Sequence, residues 1–228
     1  MLTLQKKELS LKPLMEAGVH FGYSRTRRHP TVTPYLYGNK GGVDIIDLEK
    51  TAPQIEAAAA FLAELGAAGK TILFVGVKPE ARSAVTEVAQ SLKMPFVTER
   101  WIGGILTNFP EIKKRIQKLA DLKEERISGG FDKYTKKEQL LLQREMDRLS
   151  KYFSGLAGLT KMPDAVVIVD TKKEHIAIAE ARKVGVPVVS IGNTDCSIRG
   201  ISYPIIANDS SASSIKALLA ILRDAFAN

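Results

Sequence analysis

The sequence predicts a three-layer α/β/α domain with an antiparallel helical hairpin inserted into it. Three observations carry this expectation. Short runs at 71–75 (TILFV), 165–169 (AVVIV) and 186–191 (VPVVSI) are apolar at consecutive positions, as parallel strands covered on both faces are. Helical patterns at 51–65, 80–92, 173–183 and 210–226 separate such runs, and strand–helix–strand repetition implies parallel pairing through crossovers. Between 108 and 153 the rhythm stops, and no β-branched run occurs.

Weaker strand candidates are 43–46, 95–98 and 204–207. In the interrupting segment, Ile112, Ile116, Leu119 and Leu122 form one apolar stripe, and Leu142, Met146, Leu149 and Phe153 form another. Both run near the 3.5-residue period of paired helices, and the remaining faces are charged. Ser128-Gly129-Gly130-Phe131-Asp132 reads as the turn between the arms. Each arm of about 18 residues would reach roughly 25 Å at about 1.5 Å per residue. Asn108 is the expected cap of the first arm, and 155–163 the return linker. The expected organisation is therefore a discontinuous α/β/α unit, 1–107 and 155–228, with a protruding hairpin at 108–154.

With 228 residues and 45% apolar content, a globular core is available and wholesale disorder is excluded. The single cysteine, Cys196, excludes a disulfide scaffold and fits a reducing compartment. No stretch approaches the roughly 18 apolar residues of a membrane span. Residues 1–13 lack the apolar core of a secretory signal. The net charge of +8 is unevenly placed: +3 over 1–50, −1 over 51–99, +5 over 100–152 and +1 over 153–228. Clustered positive charge makes a field that attracts a polyanion, whereas scattered lysines would serve solubility.

Arg25-Thr26-Arg27-Arg28-His29-Pro30 is a compact basic loop flanked by Tyr23, Tyr35 and Tyr37. Arginines fork onto phosphates, and aromatic faces stack on exposed bases. Gly38-Asn39-Lys40-Gly41-Gly42 lacks P-loop spacing and reads as a turn whose Lys40 can meet an RNA backbone. Arg100 precedes Trp101, which suits core packing, and Gly103-Gly104 permits close approach. Lys113, Lys114, Arg115, Lys136 and Lys137 line the hairpin; clustered, they can release counterions from a nucleic acid.

Support for catalysis is thin. No H-E-x-x-H helix, G-x-S-x-G elbow or G-x-G-x-x-G occurs, so no catalytic residue, cofactor or metal is assigned. His20, Asp195 and Asp209 sit at loop or strand-end positions where convergence on a divalent ion is an alternative. Asp170, at a strand's end, suits a helix cap or a ligand. The rival to an RNA-binding scaffold is a small-molecule or nucleotide-binding α/β enzyme that uses the carboxyl ends of the strands.

Several collinear blocks resemble the bacterial small-subunit ribosomal protein two family. They are Leu14-Met15-Glu16-Ala17-Gly18-Val19-His20-Phe21-Gly22, Pro34 to Gly38, Asp44 to Thr51, Arg100 to Phe109, and Leu159 to Pro187, the last with Lys173-Glu174-His175 and Ala179-Glu180-Ala181. The resemblance implies a flavodoxin-like parallel sheet of order 2-1-3-4-5 with a coiled-coil hairpin. It implies a non-enzymatic structural constituent of the cytoplasmic small ribosomal subunit, bound to 16S rRNA near the head–body junction beside neighbouring small-subunit proteins. Ribosomal protein one, which that family helps to hold, is a partner here only if its contact tolerates altered loops. At 192–200 and 206–212 this chain lacks carboxylates that the family carries, and Arg199 replaces one of them, a charge that extends the expected RNA footprint.

Overall fold

The computed structural model describes residues 10–227. The described residues open with a short helix, α1 (Leu11–Glu16), and a small sheet of β1 (Phe21–Ser24), β2 (Leu36–Lys40) and β3 (Val43–Ile46). These strands are antiparallel in the order β1-β3-β2. Gly41 and Gly42 link β2 to β3 with φ of 60° and 82°, the left-handed backbone that tight hairpins demand.

There follow α2 (Leu48–Ala67), β4 (Ile72–Val75), α3 (Pro79–Ser91), β5 (Phe96–Val97), α4 (Phe109–Ile127), α5 (Lys136–Phe153), β6 (Ala165–Val169), α6 (His175–Val184), β7 (Val188–Gly192), β8 (Tyr203–Ile206) and α7 (Ala212–Ala227). The five later strands make one parallel sheet, ordered β5-β4-β6-β7-β8.

Side chains alternate across this sheet. Ile72, Phe74, Val167, Val169, Val189 and Ile191 pack with α2, α3 and α7. Leu73, Val75, Val166, Ile168 and Val188 pack with α6, the 101–106 loop and the α4–α5 pair. Burial on both faces is why these strands read as unbroken apolar runs.

Residues 43–46, expected as a weak parallel strand, belong instead to the antiparallel sheet. A two-residue link cannot make a parallel crossover, which needs a dozen residues or more. Strands β1 and β2 were not expected, because β2 is exposed beyond Leu36 and carries no apolar run.

In the α4–α5 pair, Ile112, Leu119, Leu122, Met146, Leu149 and Phe153 are buried, and Ile116 and Leu142 are half-buried beside them. Phe131 plugs the connecting turn, and Lys118 Nζ meets Glu145 Oε1 at 2.6 Å across the pair. Thr135 and Glu138 form a reciprocal cap on α5. The Asn108 side chain, expected to cap α4, makes no cap bond. Position N2 is Pro110, which has no N–H to offer, and the Glu111 N–H bonds the Asn108 carbonyl instead.

Helices α2 and α7 touch at Gly66, where an added Cβ would stand 1.9 Å from the Phe226 carbonyl oxygen. Gly66→Ala is expected to destabilise by about 1–3 kcal/mol net, because displacing backbone outweighs the ~1 kcal/mol gain in helix propensity. Denaturant titration would show a lowered midpoint; an unchanged or raised midpoint would refute the close approach.

Candidate nucleic-acid interface

The basic loop is held by its own fourth residue. Arg28 Nε donates to Asp44 Oδ2 at 2.7 Å and Arg28 Nη2 to Asp44 Oδ1 at 2.5 Å. Asn39 Nδ2 adds a bond of 2.9 Å to the same carboxylate, which is wholly buried. Hydrogen bonding from Arg28 holds the Asp44 carboxyl below the usual range despite burial. Arg28 is thus occupied by the fold, whereas the sequence had placed it among the phosphate grips. His29 is likewise engaged: its N–H donates to the Thr194 carbonyl at 2.8 Å, and its Nδ1 lies 2.8 Å from Thr31 Oγ1.

What this anchor presents outward is Arg25 and Arg27. Arg25 is exposed, and its backbone N–H bonds Gly42, so it shares the end of the small sheet with exposed Lys40. Arg27 lies over the Tyr23 ring at 4.6 Å and reaches Asp195 only at 4.0 Å. Tyr23 is no free stacking platform, because its hydroxyl accepts from Lys78 Nζ and Ser210 Oγ. Tyr35 is half-buried, and Tyr37, 81% exposed, is the open aromatic of the three.

The second basic group lies on the helical pair. Lys113, Arg115, Lys136 and Lys137 are exposed and make no salt bridge among the described residues; Lys114 pairs with Glu111 one turn away. Lys136 and Lys137 open α5, where the helix dipole disfavours cations, so helix stability does not account for them.

One carboxylate joins the sheet to the helical pair. Glu180, on α6 and 9% exposed, accepts from Trp101 Nε1 (3.0 Å), Gly104 N (2.8 Å), Leu106 N (3.1 Å), Thr107 N (3.2 Å) and Thr107 Oγ1 (3.2 Å). Burial would raise its pKa, but these donors hold it below the ordinary value. They fix the loop that leads into α4, bury Trp101, and leave Arg100 exposed. Sequence reading passed over Glu180. The available signal was its place on the buried stripe Ala177–Glu180–Ala181, where an acid must find donors.

The strand order reverses between β4 and β6, the place where such sheets take small ligands. Here Lys78 sits among acids. Its Nζ lies 3.2 Å from Asp209, 3.4 Å from Asp170 and 3.1 Å from the Tyr23 hydroxyl. Burial pulls the Lys78 pKa down, but Asp209, Tyr23 and Asp170 hold it above its usual value. Asp170 also accepts from the Lys173 N–H at 3.0 Å, tying the turn before α6. The alternative metal convergence does not form: Asp209 pairs with Lys78 and Asp195 with Lys172. Among the described residues no group of three such ligands could hold an ion. No described helix is long and apolar enough to cross a membrane.

The family model described as Ribosomal protein S2 matches residues 14–228. The chain belongs to the ribosomal protein S2 family. It is 44% identical over 217 residues to the small ribosomal subunit protein uS2 of Coprothermobacter proteolyticus, covering 95% of this chain and 81% of that protein. It is 43% identical over 220 residues to the protein of that name from Acidothermus cellulolyticus, covering 96% and 80%. The family blocks meet in the geometry above: the 100–109 segment supplies the donors, and the block containing Glu180 supplies their acceptor.

Two outcomes test this geometry. Glu180→Gln leaves one acceptor oxygen and turns an NH2 toward N–H donors, so a loss of about 2–3 kcal/mol is expected by denaturant unfolding. A change under about 0.5 kcal/mol would contradict the staple. Glu174 is 3% exposed, and burial with neighbouring Asp170 pushes its pKa up to about 7. Its folded state binds the proton more tightly than the unfolded one, so stability falls as pH rises from about 4.5 to 7. At about 1.4 kcal/mol per unit the cost above pH 7 is a few kcal/mol. Glu174→Gln should stabilise at pH 8 far more than at pH 4; equal effects at both would refute the burial argument.

Proposed function

We propose that the chain is a structural constituent of the small ribosomal subunit that binds 16S rRNA near the head–body junction and so contributes to translation. Family membership over residues 14–228 carries this reading. Its work is structural, as in a ribosomal protein, and its place is the cytoplasmic small subunit. The observed strand order is read here as the flavodoxin-like arrangement. The α4–α5 pair is read as a coiled-coil hairpin, 108–154, projecting from the unit formed by 1–107 and 155–228.

In this mechanism, Arg25, Arg27 and Lys40 grip phosphates at the small sheet, and Arg100 and Arg199 extend that grip. Lys113, Lys114, Arg115, Lys136 and Lys137 make a second grip on the hairpin. Arg28 and His29 position the first grip from behind. Phosphate contacts orient without reading sequence, and RNA shape supplies specificity. Two grips on one body bind as a linked pair, which fixes the RNA elements they hold relative to each other. Neighbouring small-subunit proteins are expected partners. The carboxylate-poor loops at 192–200 and 206–212 argue against an acid-dependent contact with ribosomal protein one. A nucleotide-binding enzyme is disfavoured because Lys78, Tyr23, Asp170 and Asp209 at the strand-end crevice are engaged with one another.

Binding to a 16S rRNA fragment should weaken steeply with salt. Lys113→Glu with Lys136→Glu should lower affinity and reduce the salt slope by about 1 per lost phosphate contact. Salt-insensitive binding, or none at low salt, would contradict the reading. Replacing 119–144, beyond the Lys118–Glu145 pair, by a short turn should leave the sheet folded by circular dichroism and weaken RNA binding. Collapse of the whole fold would contradict a projecting hairpin.

A further inference from the structure

We infer that the cleft between α6 and the 195–201 loop is a third phosphate site, built to take a backbone phosphate of the RNA. The inference rests on the RNA-binding reading above and adds residues that neither the sequence nor the family match assigned, Arg182, His175 and Lys172.

The cleft has a volume of about 450 Å³. One wall is a single face of α6: His175, Ile178, Ala179 and Arg182 stand at spacings of three, one and three, so they line up along the helix. The other wall is Asp195, Ser197, Arg199 and Ile201, and His29 closes one end. Three full cations therefore face one carboxylate, and that carboxylate is already taken. Lys172 Nζ meets Asp195 Oδ2 at 2.9 Å, and Arg27 approaches the same oxygen at 4.0 Å. Among the described residues neither Arg182 nor Arg199 has a salt-bridge partner. The Arg182 guanidinium lies against the Gly200 turn, since a Cβ added there would stand 2.7 Å from its Cζ. The turn thus holds one planar fork in place beside the loop that carries the other.

One imidazole adds a directed donor: His29 Nδ1 accepts from the Thr31 N–H at 3.3 Å, which puts the neutral ring's proton on Nε2. His175 Nδ1–H donates to the Lys172 carbonyl at 3.2 Å, so its Nε2 can donate to a phosphate only as an imidazolium. Two guanidiniums are the groups that bind phosphate oxygens in a fork, and they do so better in a concavity than on an open face. The floor beside them, Ile178 and Ala179 with Ile201, is apolar and suits a sugar rather than a second charge. RNA is the favoured source of the phosphate because the cleft runs into the first grip. His29 belongs to the basic loop, and Asp195 and Lys172 also line the neighbouring cleft that contains Arg27.

The test uses the full chain with Arg182→Gln and Arg199→Gln combined, and Arg199→Gln alone as the milder variant. Binding to a 16S rRNA fragment is measured across salt, and the His29 and His175 ring resonances are followed by NMR as inorganic phosphate is added. The double variant should lose about tenfold in affinity at low salt and about 1 in salt slope, with an unchanged melting temperature. In the wild type, phosphate should shift both ring signals, and the double variant should not respond. Wild-type RNA binding that the double variant matches in affinity and slope overturns the site while leaving the RNA-binding reading intact. Failure of the wild type to bind RNA overturns that reading and the RNA assignment together. A phosphate response in that case would identify a site for free phosphate instead.

Discussion

The arrangement depends on one buried carboxylate. Glu180 gathers five donors from a stretch of seven residues, 101–107, which is most of the 98–108 connection between β5 and α4. Loop backbone must find partners when it is buried, and a loop cannot supply them to itself. An acid on a neighbouring helix meets three backbone N–H groups, one indole and one hydroxyl at once. Hydrogen bonds to a charged acceptor are roughly twice as strong as neutral ones, and burial removes the competing water. The result is a stiff root for a pair of helices that would otherwise swing on Gly103-Gly104. The apolar seam then continues that root, because Ile112, Leu149 and Phe153 join the cluster that covers one face of the sheet.

The same logic separates structural charges from available ones. Asp44 and Arg28 are paired bidentately, and Lys78 sits among Asp170, Asp209 and the Tyr23 hydroxyl. Breaking such pairs by removing one partner strands the other, which is why they read as parts of the scaffold. Arg25, Lys40, Lys113, Arg115, Lys136, Lys137, Arg182 and Arg199 are exposed and have no salt-bridge partner among the described residues. Surface charges of one sign repel each other and give the isolated protein little. Their concentration at the small sheet, the helical pair and the α6 cleft becomes favourable when a polyanion lies across all three.

Much of this was legible before any coordinates. The runs at 71–75, 165–169 and 186–191 identify a parallel sheet covered on both faces, because only such strands dispense with polar alternation. The stripes from Ile112 to Leu122 and Leu142 to Phe153 mark two helices that face each other. The small sheet was not legible: β2 is exposed on both faces, and its signal reduces to Gly41-Gly42. The engagement of Arg28 is not legible because its partner Asp44 lies sixteen residues away and meets it only after β2 and β3 fold back. Glu180 was hidden for a related reason. Its five donors are more than seventy residues distant, and sequence shows an acid amid alanines without showing what satisfies it. Asn108 stands at the N-cap of α4 as the sequence reads, but its side chain makes no cap bond, because the proline two residues on removes an N–H a cap would use.

On the proposed function, one body presents separate basic surfaces to folded RNA. The most direct measurement places photocrosslinkers at Arg25 and at Lys113, in separate variants, and isolates small ribosomal subunits by sedimentation. Both variants should co-sediment with the subunit, and each should crosslink to a distinct segment of 16S rRNA. A chain that stays at the top of the gradient, or crosslinks that reach only protein from both positions, would contradict it.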